Sequence, residues 1–210
     1  MDLSALRNVS YGLYIVGVNY EGKETGCVIN TCMQLTSQNP LFAICLNKDN
    51  YTYQAIKQAG VFSLSILSEQ TEPSVIGTFG FKSGRDTDKF AQVKRQQQDG
   101  TPILTENVCA NLILKVEQII DVETHCLITA RLVNTVTGDS KNPMTYSYYH
   151  KVIKGSAPKS APTYQENAVV ENEDSVEYVC SVCGYVHKGE LPDDFICPIC
   201  KVPKENFRRK

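Results

Sequence analysis

Hydrophobic and polar residues alternate, or β-branched residues cluster, over seven stretches of the first 155 positions: 11–18, 26–31, 41–46, 61–67, 111–122, 125–136 and 145–152. A period of two puts successive side chains on opposite faces, so each stretch predicts a β-strand, and seven strands in this length predict a barrel. Helical periods are fewer. Thr52 predicts a cap for a turn that runs through Ala59 and stops at Gly60, while 68–79 and 85–90 predict short helices between strands. No strand is followed by Gly-x-Gly-x-x-Gly and no Gly-x-x-x-x-Gly-Lys occurs, so the sequence supports neither a Rossmann dinucleotide fold nor a P-loop.

The pattern breaks near residue 156, and the charge breaks with it. Net charge is 0 over residues 1–156, −3 over 157–175 and +1 over 176–210, within a total of −2. The middle piece is Pro-rich, then acidic, and follows neither period, which predicts a linker between domains at 1–156 and 176–210. A coil of 19 residues has a root-mean-square reach of about 20–25 Å, enough for one domain to swing against the other without wide separation. With 42% hydrophobic and 21% charged residues the composition is that of a soluble globular protein. The longest apolar run, 41–46, is far short of the roughly 20 residues of a membrane helix, and nothing near Met1 resembles a signal peptide. A cytoplasmic protein without a membrane partner is expected. No block is basic enough to predict nucleic acid as a partner.

Nine cysteines are the unusual feature, and an odd number without an export signal argues against a disulfide framework. Cys180-x-x-Cys183 and Cys197-x-x-Cys200 stand 13 residues apart, and each pair can point two thiolates at one metal. The 35-residue segment is too short to fold on a core alone, so a metal is needed as a staple. A structural zinc ribbon has the same ligand set, usually with a gap of about 15–20 residues.

The surroundings of the four cysteines closely resemble rubredoxin. Tyr178-Val-Cys180-x-x-Cys183-Gly-Tyr185, then Leu191-Pro-Asp-Asp-Phe195-Ile-Cys197-Pro-Ile-Cys200, then Lys204 and Phe207 carry the resemblance across 177–207. It implies one iron cycling between ferric and ferrous on Cys180, Cys183, Cys197 and Cys200. The stretch between the pairs is shorter than in the standard form, Phe195 stands where Trp is common, and Lys201 replaces the usual Gly. Tyr178, Tyr185, Phe195 and Phe207 would exclude water from such a centre, and backbone N–H groups would bond its sulfurs, both of which tune a reduction potential.

Three N-terminal segments stand out in turn: Asn30-Thr31-x-x-Gln34-x-Thr36-Ser37, Asn47-Lys48-x-Asn50-Tyr51-Thr52, and Ser83-Gly-Arg85-Asp-x-Asp-Lys89-Phe90. Separately, each reads as a turn, a helix cap or a surface loop. Together, and in this order, they resemble the flavin reductase-like family over residues 5–155. The resemblance implies a mainly β chain, an FMN-binding split β-barrel with a small C-terminal rubredoxin-like metal domain. It places Asn30, Thr31, Gln34 and Thr36 along the isoalloxazine ring and Asn47, Lys48, Asn50 and Thr52 on the phosphate. Ser83, Arg85 and Lys89 complete the phosphate and ribityl side, from this subunit or from the second of a homodimer. Tyr146, Tyr148 and Tyr149 fall on the family's last barrel strand, near the flavin or the dimer contact, and core packing explains them equally well. His125 reads either as a site residue or as a turn histidine, His150 and His187 as surface or structural. Cys27, Cys32, Cys45, Cys109 and Cys126 read as small buried side chains.

The whole arrangement resembles the high-molecular-weight rubredoxins of anaerobic bacteria. It implies an oxidoreductase that takes electrons from NADH or NADPH through FMN to the iron and on to an acceptor protein, a flavodiiron nitric oxide or oxygen reductase. No side chain is expected to act as acid or base in the hydride step. A relay reduced by another protein, and a zinc-ribbon module on a flavin-binding scaffold, stay open as alternatives.

Overall fold

Two neighbouring residues of one strand, Ile15 and Val16, belong to different cores. Such burial on both faces needs cover on both sides of the sheet. The computed structural model describes residues 3–164 and 176–210. Strands β1 (Tyr14–Tyr20), β2 (Lys23–Ile29), β3 (Cys32–Gln34), β4 (Leu41–Asn47), β5 (Val61–Leu67), β8 (Val108–Val122) and β9 (His125–Thr137) form one antiparallel sheet in the order β2-β1-β5-β8-β9-β4-β3. On one face Val16, Val18, Phe62, Leu64, Ile44 and Ile128 pack with Ala55 and Ile56 of helix α1 (Tyr51–Ala59). On the other, Leu13, Ile15 and Leu67 pack with Ile76 and Phe79 of α2 (Pro73–Phe81) and with Tyr149 of α3 (Tyr146–Lys151).

The two outermost strands, β2 and β3, are consecutive in the chain and joined by Asn30 and Thr31 alone. Opposite edges of a seven-stranded sheet can be joined by two residues only if the sheet curls until its edges meet. This is the split barrel, and the split lies at residues 30–31. The remaining strands are a hairpin of β6 (Arg95–Gln98) and β7 (Thr101–Leu104), and a separate sheet of β10 (Glu177–Cys180), β11 (Val186–Lys188) and β12 (Phe207–Arg209) in the order β11-β10-β12. The chain is mainly β, as its pattern predicts.

Several local expectations are corrected. The strand expected at 145–152 is helix α3, because the Thr145 hydroxyl accepts from the Tyr148 N–H at 3.1 Å and caps a helical turn. Its tyrosines therefore repeat as helix neighbours, and Tyr149 is the one that turns into the core. The helix expected at 85–90 is a run of turns. The Ser83 carbonyl accepts from Asp86 and Thr87, and Asp88 accepts from the Phe90 N–H at 3.0 Å, so short polar groups outcompete a helix. The helix expected at 68–79 starts later, at Pro73, because Ser68 and Thr71 donate their hydroxyls to the Asn107 carbonyl. The cap of α1 is Asn50, whose side chain accepts from the Thr52 N–H at 2.9 Å, and Gly60 ends the helix with φ 68°. Residues 165–175 of the stretch read as linker lie outside the described residues.

Candidate flavin cleft and metal centre

The four cysteines converge by a repeated device. After Cys180 the chain turns back so that Gly184 N–H donates to the Cys180 carbonyl at 2.9 Å and Cys180 N–H donates to Tyr185 at 2.9 Å. After Cys197 the same pair recurs, Lys201 to Cys197 at 3.0 Å and Cys197 to Val202 at 2.8 Å. Each turn needs a left-handed residue, Gly184 at φ 71° and Lys201 at φ 59°. All four side chains are buried, and their sulfurs lie within 4.8 Å of one another, with Cys180 to Cys200 at 3.6 Å and Cys183 to Cys197 at 3.4 Å. Metal–sulfur bonds of about 2.3 Å in a tetrahedron require sulfurs about 3.8 Å apart. The set fits one tetrathiolate-bound ion.

Backbone donors around the ligands favour ionised sulfur, while burial opposes it. Backbone N–H groups reach three of the ligands: Tyr185 to Cys183, Ile199 and Cys200 to Cys197, and Val202 to Cys200. A hydrogen bond from Cys183 pulls the Cys197 thiol down to about 5, and the same bond, with burial, pushes Cys183 up. A metal would displace the shared proton. Phe207 stands edge-on to Phe195 at 5.2 Å and to Tyr185 at 6.4 Å, forming the aromatic shell expected of these residues.

Lys201 keeps a left-handed backbone without being glycine. Such strain costs about 1–2 kcal/mol, partly offset by the greater unfolded-state freedom of glycine. Lys201→Gly is therefore expected to stabilise the metal-bound module by about 0.5–1 kcal/mol, read as a higher guanidinium midpoint for loss of the metal.

The barrel's split opens into a cleft with a cavity volume of about 70 Å³, part of whose lining comes from residues 156–158 and 160–162. Asn30 and Thr31 of the split, Asn47 of β4 and the α1 cap Asn50 line it. The Thr31 hydroxyl donates to the Cys45 carbonyl at 3.2 Å, and Asn47 accepts from the Asp49 N–H at 2.9 Å. Thr52 lies behind this wall, buried, bonded to the sulfur of Cys27. The N-terminus of α1 opens beside these side chains, and its dipole favours an anion, although the Thr52 and Tyr53 N–H groups already bond to Asn50.

The other expected flavin residues lie elsewhere on this chain. Gln34 donates to the Thr36 carbonyl at 2.8 Å and Thr36 donates to Asn39 at 3.2 Å, so both hold the exposed turn before β4. Lys48 pairs with Asp121 at 2.6 Å. Arg85 lies over the Tyr51 ring at 5.3 Å, at the first residue of α1, and Ser83 accepts from the Arg85 N–H at 3.2 Å. Lys89 is 3% exposed, and its ammonium donates to the carbonyls of Gly26 at 2.8 Å and Phe79 at 3.0 Å. Burial lowers its pKa.

Three contributors to the cleft differ in part from a reading of the sequence as barrel and linker. Cys27 and Cys45 line it, whereas Cys32 does not; burial pushes the Cys32 thiol up to about 12. Tyr146 and Tyr149 line it from a helix instead of a strand. Residues 156–164 cross its mouth as a strap. Thr163 accepts from Asn30 at 2.8 Å and donates to the Tyr146 hydroxyl at 3.0 Å, while the Ser160 carbonyl meets Asn47 at 3.5 Å and the His125 ring at 3.3 Å. Local composition carries no signal for such distant contacts. His150 and His187 pack against rings, at 4.2 Å from Tyr146 and 4.5 Å from Phe195.

Residues 6–156 match the model of the flavin reductase like domain, and residues 178–208 match the rubrerythrin, rubredoxin-like domain. Along its whole length the chain is 34% identical to the high molecular weight rubredoxin of Moorella thermoacetica, over 100% of both chains. It is 37% identical to the ferric-chelate reductase (NAD(P)H) of Archaeoglobus fulgidus, over 80% of this chain and 99% of that one. Among solved structures, nitrilotriacetate monooxygenase component B of Mycobacterium thermoresistibile superposes with a TM-score of 0.60 at 24% identity, over 67% of this chain and 78% of that chain, and shows the shared fold. With a split barrel matching one family and a four-sulfur centre matching the other, the chain belongs to the flavin reductase like family in its high-molecular-weight rubredoxin form, an electron-transport oxidoreductase whose cofactors are FMN and iron.

Proposed function

We propose that the chain carries electrons from NADH or NADPH, through FMN in the cleft, to the iron on Cys180, Cys183, Cys197 and Cys200, and then to a flavodiiron acceptor protein in the cytoplasm. The observation that carries this reading is the shared wall: Phe81 and Ser156 line the cleft and also touch the four-cysteine module. FMN, when bound, takes electrons in pairs as hydride and releases them singly. The protein's part is to hold and orient. Asn30 and Thr31, at the split, offer amide and hydroxyl groups to the polar edge of the ring. Asn47, Asn50 and Thr52 set the start of α1 against the phosphate, with Arg85 adding its charge from beside Tyr51. Gln34, Thr36, Lys48, Ser83 and Lys89 act through the turns and strands they fasten. The domains run 1–156 and 176–210, with the strap as the first part of their connection.

Anaerobic titration with NADH tests the route. Bleaching of the flavin bands and of the red ferric bands is expected with a single donor. Flavin that stays yellow would leave a relay fed by another protein, and zinc without iron on metal analysis would remove the electron-carrier reading. The subunit is a homodimer in this proposal, because the edge of β3 presents Met33 at 62% and Leu35 at 45% exposure. Met33→Asp with Leu35→Asp is expected to move the protein to monomer elution by size-exclusion chromatography.

A further inference from the structure

Helix α2 stands between the cleft and the metal module. Ile76, Gly80 and Phe81 face the cleft, and Gly77 lies under the second cysteine turn. A Cβ at Gly77 would lie 2.0 Å from the carbonyl oxygen of Ile199, 2.7 Å from its carbonyl carbon and 3.3 Å from the Cα of Cys200. Real Cβ atoms do not approach so closely, so the backbone of the second cysteine turn rests directly on the helix. Ile199 is 1% exposed there, and Phe81 and Ile153 pack against the cysteine cluster. The first cysteine turn is held independently. Ser156 donates its hydroxyl to the Cys183 carbonyl at 2.5 Å, and a Cβ at Gly184 would lie 2.0 Å from that hydroxyl. Each cysteine turn thus has its own contact on the barrel, one steric and one polar.

We infer that Gly77 and Ser156 are positioning residues that seat the chain's own four-cysteine centre against the wall of the flavin cleft, so that electrons cross within one subunit. The inference rests on the proposed electron route and specifies its middle step. A hydride taken from the nicotinamide brings two electrons and one proton net to be released. An iron held by Cys180, Cys183, Cys197 and Cys200 would take the electrons in two Fe³⁺ to Fe²⁺ steps, the acceptor reoxidising it between them, and the proton would go to solvent. A tether alone sets an effective concentration; a seat sets one geometry, which is worth far more to a step that depends on approach.

Gly77→Ala separates the seat from the helix. Alanine is the better helix former by about 1 kcal/mol, so α2 itself is not weakened, while the added methyl must push the Ile199 carbonyl away. Stopped-flow mixing with NADH under anaerobic conditions should show flavin reduction at the rate of the unaltered protein and iron reduction at least tenfold slower. The electron paramagnetic resonance signal of the ferric centre should be unchanged. Amide hydrogen exchange over 73–81 should rise, because the helix loses its cover. Ser156→Ala, which keeps the volume of the turn, should slow iron reduction severalfold, and serves should Gly77→Ala fold poorly.

Iron reduction at the unaltered rate in both variants, with exchange over 73–81 unchanged, would overturn the seat. So would an iron reduction rate proportional to protein concentration, which means transfer between molecules. If the unaltered protein's flavin is not reduced by NADH at all, the route fails instead. The exchange measurement needs no donor and still decides the seat.

Discussion

Replacing Cys197 by serine is expected to empty the four-cysteine centre and to stop electron delivery, while the flavin cleft still takes hydride from NADH. Cys197 is fully buried, has its sulfur 3.4 Å from that of Cys183, and accepts backbone N–H groups from Ile199 and Cys200. Serine offers a hard, neutral oxygen on a shorter bond where the ion needs a soft thiolate. A structural tetrathiolate site contributes on the order of 10 kcal/mol to folding of a small metal domain, more than this 35-residue segment can replace with its core of Ile199, Phe207 and their neighbours. Iron content should fall to a few per cent, and NADH-driven reduction of an external acceptor protein by at least 100-fold. Flavin bleaching by NADH should persist. Metal analysis beside an anaerobic NADH titration reads both at once, and loss of flavin reduction together with iron would mean that the cleft depends on a metal-loaded module.

Lys89→Ala should be the most damaging change in the barrel, at about 3–5 kcal/mol. The ammonium ties the Gly26 carbonyl in β2 to the Phe79 carbonyl near the end of α2, and the stem lies among buried side chains, the ammonium 6.0 Å from the centre of the Phe79 ring. Alanine leaves two buried carbonyls without a donor and a cavity beside them. Lys89→Met refills the volume and should cost about 1–3 kcal/mol, the part due to the carbonyls alone. The pH dependence has a definite sign. Burial lowers the folded pKa of Lys89 below its unfolded value, so between the two values the unfolded chain binds more protons and stability rises with pH. A neutral amine still has two N–H groups for the two carbonyls, so nothing is lost at the upper end. Urea midpoints of the unaltered protein should gain on those of Lys89→Met as pH climbs from neutral toward 10.5, and a gap that stays constant would show that Lys89 keeps its ordinary pKa and stays charged in the fold.

What the sequence makes legible follows from how local each signal is. The strand Val61–Leu67 can be read to the residue, because its whole run is apolar or small and Gly60 marks its start. The metal ligands can be read because all four lie within 21 residues and their spacing is itself the geometry. Helix α3 is misread as strand because Tyr-Ser-Tyr-Tyr alternates over too few positions to choose between periods, and the deciding bond, from Tyr148 N–H to Thr145, is a cap. The β6–β7 hairpin has a local signal of its own: Asp99-Gly100, with φ 48° and 79°, is the dipeptide that favours such a turn. The flavin cleft is legible only in part. Its polar wall at Asn30, Thr31, Asn47 and Asn50 sits on recognisable motifs, but the strap contacts join positions 113 and 133 residues apart, and the proline-rich run that makes them carries a coil's composition.

The two-residue joint between β2 and β3 ties inheritance to architecture. Asn30 and Thr31 both close the barrel and face the cofactor cleft, so an insertion there to retune the flavin would also let the sheet uncurl. Variation in this lineage should therefore enter this stretch by substitution, residue for residue, while changes of length collect in the turns between other strands. The gap that makes the barrel split is a place where the chain cannot grow without opening the sheet.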